Sequence, residues 1–365
     1  MNLLIKPASG RCNLRCGYCF YADEMASRTC SDFGKMSLAT LEGIIARLFA
    51  QNREEAVSIL FQGGEPMLVG LDFYRAAVQW IRHYNTKKIP VHLALQTNGT
   101  LVDEAWARFF AEEGFLIGVS LDGTKEIHNF YRKDPLGKDT HNRVLRGISY
   151  LKKHGVEFNI LSVITDRSVR NLTAFQGFFQ KNGFSWLQFI PCLPSLDGKT
   201  VPLTAEGYGD FLCRSFDLWY EKTLRGEYVS ERTFENYVAI LMGRPPEDCA
   251  LRGTCSIQFV IEADGSVYPC DFYALDAYRM GNFLTDSVVD LEKKAEELRF
   301  VARSRERCET CTSCPWFSLC RGGCRRSCEP AGDGPLPPSV FCEAYRKFFP
   351  YAYDRLLFLA QRLFR

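Results

Sequence analysis

The stretch Cys12-Asn13-Leu14-Arg15-Cys16-Gly17-Tyr18-Cys19 decides how this chain is read. Its three thiols stand in a C-x3-C-x2-C spacing, which can hold three irons of a 4Fe–4S cube. A cube held entirely by protein needs a fourth thiolate. Three thiols therefore leave one iron with an open coordination position, and a catalytic metal requires one. The triplet follows the short apolar run Leu3-Leu4-Ile5, which reads as a first strand ending in a loop. A zinc loop with a distant fourth ligand has the same spacing, so the rest of the chain must separate the two readings.

The bulk composition narrows the choice. At 365 residues, the chain can bury one large core or two moderate ones. Forty-five basic residues against forty-three acidic ones leave a formal charge of +2, with no basic block to form a nucleic-acid footprint. No run of eighteen apolar residues occurs, and the start, Met1 to Pro7, is too short for a signal-peptide core. The expectation is a soluble, cytoplasmic protein without membrane or nucleic-acid partners. Sixteen cysteines, several in C-x2-C pairs, point to metal in a reducing compartment rather than to a disulfide scaffold.

Beyond the triplet, apolar segments of strand length alternate with helical periodicity. Strands are expected at Leu3–Ile5, Val57–Phe61, Val91–Leu95, Phe115–Val119, Phe158–Ile164 and Trp186–Ile190. Helices are expected over 38–52 (capped by Ser37), 71–84, 103–113, 142–154 and 172–181. The fold class is α/β, best fitted by a partial (β/α)6 barrel over residues 1–203. Chemistry in such barrels collects at the carboxyl ends of the strands. Polar turns stand there: Gln62-Gly63-Gly64-Glu65-Pro66, Gln96-Thr97-Asn98-Gly99 and Ser120-Leu121-Asp122-Gly123. Taken singly, each is ordinary turn chemistry; their repetition is better explained by one shared ligand.

Residues 204–245 read as a helical bridge. Past 245 the composition shifts, and cysteines crowd residues 246–342. Asp264-Gly265, flanked by apolar runs, signals a hairpin carrying Cys270 back toward Cys249 and Cys255. A helix is expected over 288–303, ahead of Cys308, Cys311, Cys314, Cys320, Cys324, Cys328 and Cys342. A final helix over 343–365 would carry Leu356, Leu359 and Leu363 on one stripe, beside Leu357, Ala360 and Phe364, as a packing surface. The five histidines are scattered, without H-x3-H pairing, which disfavours a histidine zinc site.

The cysteine triplet followed by Gly63-Gly64-Glu65-Pro66 resembles the radical S-adenosylmethionine (SAM) superfamily. The arrangement Cys249-x5-Cys255-x14-Cys270, with Cys311-x2-Cys314-x5-Cys320-x3-Cys324-x17-Cys342, resembles its SPASM extension. The segments 216–220, 258–273 and 319–326 look like anaerobic sulfatase-maturating enzymes, and the likeness spans the chain.

This resemblance implies a SAM-binding barrel with three 4Fe–4S clusters. Cys12, Cys16 and Cys19 would hold the open cluster. Cys249, Cys255, Cys270 and Cys324 would hold one auxiliary cluster, and Cys311, Cys314, Cys320 and Cys342 the other. Cys30, Cys192, Cys213, Cys308 and Cys328 remain, and Cys308 or Cys328 could displace a ligand of the second set. It places SAM near Tyr18, Gln62, Gly63, Gly64, Glu65, Gln96, Asn98 and Ser120, with Arg132 on its carboxylate and Arg146 as the alternative. Asp271 would be the base in oxidising a cysteine or serine of a protein or peptide to Cα-formylglycine. A carboxylate is a weak base for a thiol, so burial is expected to strengthen it. An external donor such as flavodoxin or ferredoxin would supply electrons. Two rival readings are a SPASM maturase forming a thioether or other crosslink in a ribosomal peptide, and a non-catalytic iron–sulfur or zinc module.

Overall fold

The computed structural model describes residues 1–329 and 334–363, the side chain of Leu363 excepted. Leu363 and Phe364 of the expected terminal stripe thus lie outside the described side chains. In chain order the main elements begin with β1 (Asn2–Ile5), α1 (Phe20–Ala26), α2 (Leu38–Gln51), β2 (Val57–Phe61) and α3 (Leu71–Tyr84). Next come β3 (Val91–Thr97), α4 (Glu104–Glu112), β4 (Leu116–Ser120), α5 (His141–Lys153), β5 (Phe158–Ile164), α6 (Leu172–Lys181) and β6 (Trp186–Pro191). The remainder is α7 (Ala205–Leu224), α8 (Arg232–Leu241), β7 (Val260–Ile261), β8 (Ser266–Tyr268), β9 (Gly281–Asn282), α9 (Val288–Glu297), α10 (Phe300–Arg305) and α11 (Cys342–Leu363). These form two compact units interleaved along the chain.

The first unit comprises Met1–Ser120, Asn129–Phe158 and Ile257–Arg299. In it β1, β2, β3 and β4 pair in parallel, with Ile5 opposite Phe61, Phe61 opposite Leu95 and Leu95 opposite Ile117. All four of those side chains are buried, the near-continuous apolar character that a parallel sheet demands. Phe61 packs edge-on against Tyr74 of α3 at 5.0 Å, and Trp106 and Phe115 close around the same ring. The Tyr74 hydroxyl is not wasted there: it donates to the Pro66 carbonyl at 2.8 Å and steadies the turn after β2. Ser37 caps α2 as expected, its hydroxyl accepting from Thr40 N at 3.0 Å.

On its other edge β1 takes β7 as a parallel partner, with Ile5 opposite Ile261. The expected hairpin is present as β7 and β8, antiparallel through a turn in which Gly265 has φ 86°. It therefore continues the sheet that begins with β1, which its local pattern did not reveal.

The second unit comprises Leu121–His128, Asn159–Ser256 and Phe300–Arg365. Here β5 and β6 are parallel neighbours, and α11 lies against α7 and α8. Phe216, Phe234 and Phe348 stack where those three helices meet, with ring centroids 5.3–5.8 Å apart. Phe216 of α7 is thus a core residue.

One expected helix is two. Residues 288–303 divide into α9 and α10 because Arg299, with φ 51°, adopts a left-handed conformation that no α-helix continues through. No glycine or proline marks this break. Among the described residues no helix is long and apolar enough to cross a membrane.

Glu231 caps α8, accepting from Thr233 N and Phe234 N at 3.4 and 3.1 Å. Burial pushes its carboxyl up to about 8, against the pull of those donors. In this window the folded state holds a proton that the unfolded state has released, so stability falls as pH rises from about 4.5 toward 8. Glu231→Gln should consequently melt higher than wild type at pH 8 and lose that advantage near pH 4.5. An advantage independent of pH would contradict the assignment.

Candidate active site

The in-register parallel strands place their following residues side by side. Lys6 follows β1, Gln62 follows β2 and Glu262 follows β7. The row is tied by backbone bonds from Lys6 N to Ile261 O at 2.8 Å and from Gln62 N to Ile5 O at 3.0 Å. Asp271, buried in the turn after β8, meets this row. Its Oδ1 accepts from the Tyr21 hydroxyl at 2.5 Å and lies 3.2 Å from Lys6 Nζ. Its Oδ2 accepts from Gln62 Nε2 at 2.8 Å. Asp271 is thus buried among donors and a cation.

The cysteine loop is assembled against the same strand ends. Cys16 lies opposite Arg132 in a two-residue antiparallel pairing of Arg15–Cys16 with Arg132–Lys133, and Gly17 N donates to Tyr131 O at 2.9 Å. Arg132 Nη1 is 4.0 Å from Cys16 Sγ, and its guanidinium carbon is 5.5 Å from the centroid of the Tyr18 ring. Arg132 is buried, whereas Arg146 is exposed on α5. The structure brings Arg132, not Arg146, to the loop.

Gly64 N and Glu65 N donate to the carbonyls of Ser9 and Arg11 at 2.9 and 2.8 Å. A Cβ on Gly64 would lie 2.1 Å from the Arg11 carbonyl oxygen, so only glycine allows this approach. Glu65 is fully buried: Oε1 accepts from Met67 N and Thr97 Oγ1, and Oε2 from Asn98 N at 2.8 Å. Burial pushes its carboxyl up to about 7, against those donors. Asn98 Nδ2 donates to Asn13 Oδ1 at 2.8 Å and stands 3.7 Å from Cys12 Sγ. Gln96 is half-buried near the end of β3, and Ser120 is buried at the end of β4.

This donor set fits an iron–sulfur cluster. Leu14 N reaches Cys12 Sγ at 3.3 Å, and Asn98 and Arg132 approach two of the sulfurs, as donors around cluster thiolates do. As a free thiol Cys12 is pushed up to about 12, by burial first and by the Glu65 charge second, with Cys16 and Cys19 near enough to add to it. Metal coordination removes such a proton outright. Among the described residues no three His, Cys, Asp or Glu side chains converge on a centre for a single ion; a cube spreads its thiolates over separate irons.

In the second unit most of the remaining cysteines gather in two sets, Cys192 and Cys213 standing apart from both. Cys324 senses the charges of Cys249 and Cys255, while Cys320 and Cys342 each sense Cys314. Cys308 hydrogen-bonds Cys311 and joins the latter set, which therefore counts five thiols. Arg307 spans Gly322 O, Gly323 O and Cys328 Sγ at 3.0–3.3 Å. Cys270 belongs to the first unit, one residue before Asp271.

Sequence reasoning missed Lys6, Tyr21, Glu24, Arg28 and Glu262, which surround Asp271 or one another. For Lys6 and Glu262 the only signal was position, a charged residue directly after an apolar strand; Tyr21, Glu24 and Arg28, in and just after α1, carried none. Gln62, which sequence reasoning gave to the cofactor, donates from its amide to Asp271.

The close approach at Gly64 yields a prediction. Gly64→Ala must displace the backbone at Arg11, so anaerobically loaded protein should retain less iron than wild type. Gly177→Ala, with nothing within 4 Å of its Cβ, should retain it all. Equal iron in both variants would contradict the cradle.

Residues 7–171 match the model of the radical SAM superfamily, and residues 249–315 match SPASM, an iron–sulfur cluster-binding domain. The chain is 42% identical to the cysteine-type anaerobic sulfatase-maturating enzyme of Clostridium novyi (strain NT), over 100% of this chain and 98% of that protein. It is 29% identical to the serine-type enzyme of Bacteroides thetaiotaomicron, over 99% and 91%. A solved structure described as native anSMEcpe with bound AdoMet and Cp18Cys peptide superposes with a TM-score of 0.93, at 42% identity over 99% of both chains. The α/β architecture is accordingly the radical SAM fold with a SPASM domain. With full-length likeness of this degree, the chain belongs to the anaerobic sulfatase-maturating enzymes of the radical SAM superfamily.

Proposed function

We propose that the chain oxidises a cysteine in a sulfatase-type peptide to Cα-formylglycine. The observation that carries this reading is a buried carboxylate, Asp271, aimed by Tyr21, Lys6 and Gln62, in a chain of this family. Cysteine is favoured over serine because full-length identity is 42% to the cysteine-type relative and 29% to the serine-type one.

Cys12, Cys16 and Cys19 would hold the open cluster. Tyr18, Gly63, Gly64, Gln96, Asn98, Ser120 and Arg132 would line the SAM site, with Arg132 on the SAM carboxylate as a charge-assisted contact. Glu65 would line that site too, while its oxygens also bind the turns after β2 and β3. Two fully ligated auxiliary clusters would sit on Cys249, Cys255, Cys270 and Cys324 and on Cys311, Cys314, Cys320 and Cys342. When bound, these cofactors would supply a radical that removes a hydrogen atom from the substrate Cβ and an acceptor for the second electron, with an external donor such as flavodoxin or ferredoxin reducing the open cluster.

Within that chemistry Asp271 takes the thiol proton through Oδ2, which it presents beside the Gln62 amide. The substrate loses one hydrogen atom, one proton and one further electron, two electrons in all, to become a thioaldehyde, and water then replaces sulfur, releasing hydrogen sulfide. Residues 1–203 would carry SAM chemistry and 246–342 the auxiliary clusters. A reducing cytoplasm suits all three.

Incubation of the reduced, loaded protein with SAM and a peptide carrying a C-x-P/A-x-R motif should lower the peptide mass by about 18 Da, the change from thiol to aldehyde. An unchanged or crosslinked peptide would overturn the reading. Asp271→Asn should lose about 10²–10⁴-fold in formylglycine formation, the range a positioned base supplies. Formation at the wild-type rate would remove Asp271 from this role.

A further inference from the structure

Lys6 has no exposed surface, and a buried ammonium is costly unless charge compensates it. Its Nζ makes no hydrogen bond among the described residues and is held by charge. Three carboxylates surround it. Asp271 Oδ1 is nearest at 3.2 Å, while Glu24 and Glu262 stand at 3.7 and 3.8 Å. The centroid of the Tyr21 ring lies 4.1 Å away. Glu262 has a closer partner in Arg28, at 2.6 Å. Glu24 is buried, without a hydrogen bond to either oxygen. Burial pushes its carboxyl up to about 8, against the pull of Lys6, so it carries a proton at neutral pH. Apart from Glu24, two basic side chains, Lys6 and Arg28, face two acidic ones, Asp271 and Glu262. An aliphatic side chain of similar volume would avoid the desolvation that a buried ion pair suffers. Lys6 thus compensates buried carboxylates that an apolar cluster of the same volume would not hold.

We propose that Lys6 is a positioning residue for the thiol oxidation: with the Tyr21 hydroxyl it pins Oδ1 of Asp271, so that Oδ2 stays turned to the substrate thiol beside the Gln62 amide. This rests on the reading of Asp271 as the base. Lys6 touches neither SAM nor substrate in this role. Losing it leaves radical formation intact and breaks the link between hydrogen abstraction and proton removal.

The test uses the anaerobically loaded full chain with SAM, dithionite and the cysteine peptide. Lys6→Met leaves an unbalanced buried carboxylate and can fail by misfolding. The double variant Lys6→Met/Glu262→Gln restores balance, Arg28 against Asp271, while still denying Asp271 its ammonium. The expected result is a double variant with wild-type melting temperature and iron content whose yield of formylglycine per 5′-deoxyadenosine falls roughly tenfold or more, a share of the 10²–10⁴ that a positioned base contributes. Tyr21→Phe, removing the other contact to Oδ1, should lower the same ratio. A folded double variant with the wild-type ratio overturns the proposal. So does a double variant that does not fold, which assigns Lys6 to folding. Wild-type protein that makes no formylglycine would instead sink the functional reading, so the two failures are distinguishable.

Discussion

Strand β1 is clasped between two parallel partners in matching register, and the chemistry depends on that constraint. Because Ile5 faces both Phe61 and Ile261, the next residue of each strand arrives at one level. A slip of one residue would turn the side chains of a strand to the opposite face. Apolar burial along β1, β2 and β7 therefore does more than hold a core together. It fixes where an ammonium, an amide and a carboxylate stand relative to Asp271.

The same strand ends organise the metal loop. Backbone donors of Gly64 and Glu65 reach the carbonyls of Ser9 and Arg11, and the pairing of Cys16 with Arg132 closes the loop from the other side. Glu65 then joins two adjacent strand-end turns through its carboxylate. A buried acid with three donors is an effective clamp, because leaving any of those groups unpaired would be costly. Rigidity of this kind suits a site that must hold a reactive species against one substrate carbon.

Much of this was legible in the sequence where a local rule applied. The six parallel strands announced themselves as apolar runs, Ser37 as a helix cap, Asp264-Gly265 as a hairpin turn and the cysteine spacings as iron–sulfur loops. What escaped depends on contacts between distant segments. Nothing near Val260 says that it pairs with Leu4, and without that pairing Glu262 is an unremarkable acid at a turn. Lys6 reads as the solvated residue after a strand until Asp271, 265 positions later, is folded against it. That the Gln62 amide meets Asp271 is likewise set by tertiary geometry. The break at Arg299 has no glycine or proline to betray it, and spacing alone could not say that Cys308 would stand among the second set of thiols.

The central claim is that the amino-terminal thiols hold a cluster with one iron open to SAM, separate from fully ligated clusters elsewhere. Iron analysis with electron paramagnetic resonance, comparing wild type and the Cys12/Cys16/Cys19→Ala variant, tests it most directly. The account predicts about twelve irons in wild type and about eight in the variant, with a spectrum that SAM perturbs only in wild type. Equal iron in the two proteins, or a SAM response that survives loss of the three thiols, would contradict it.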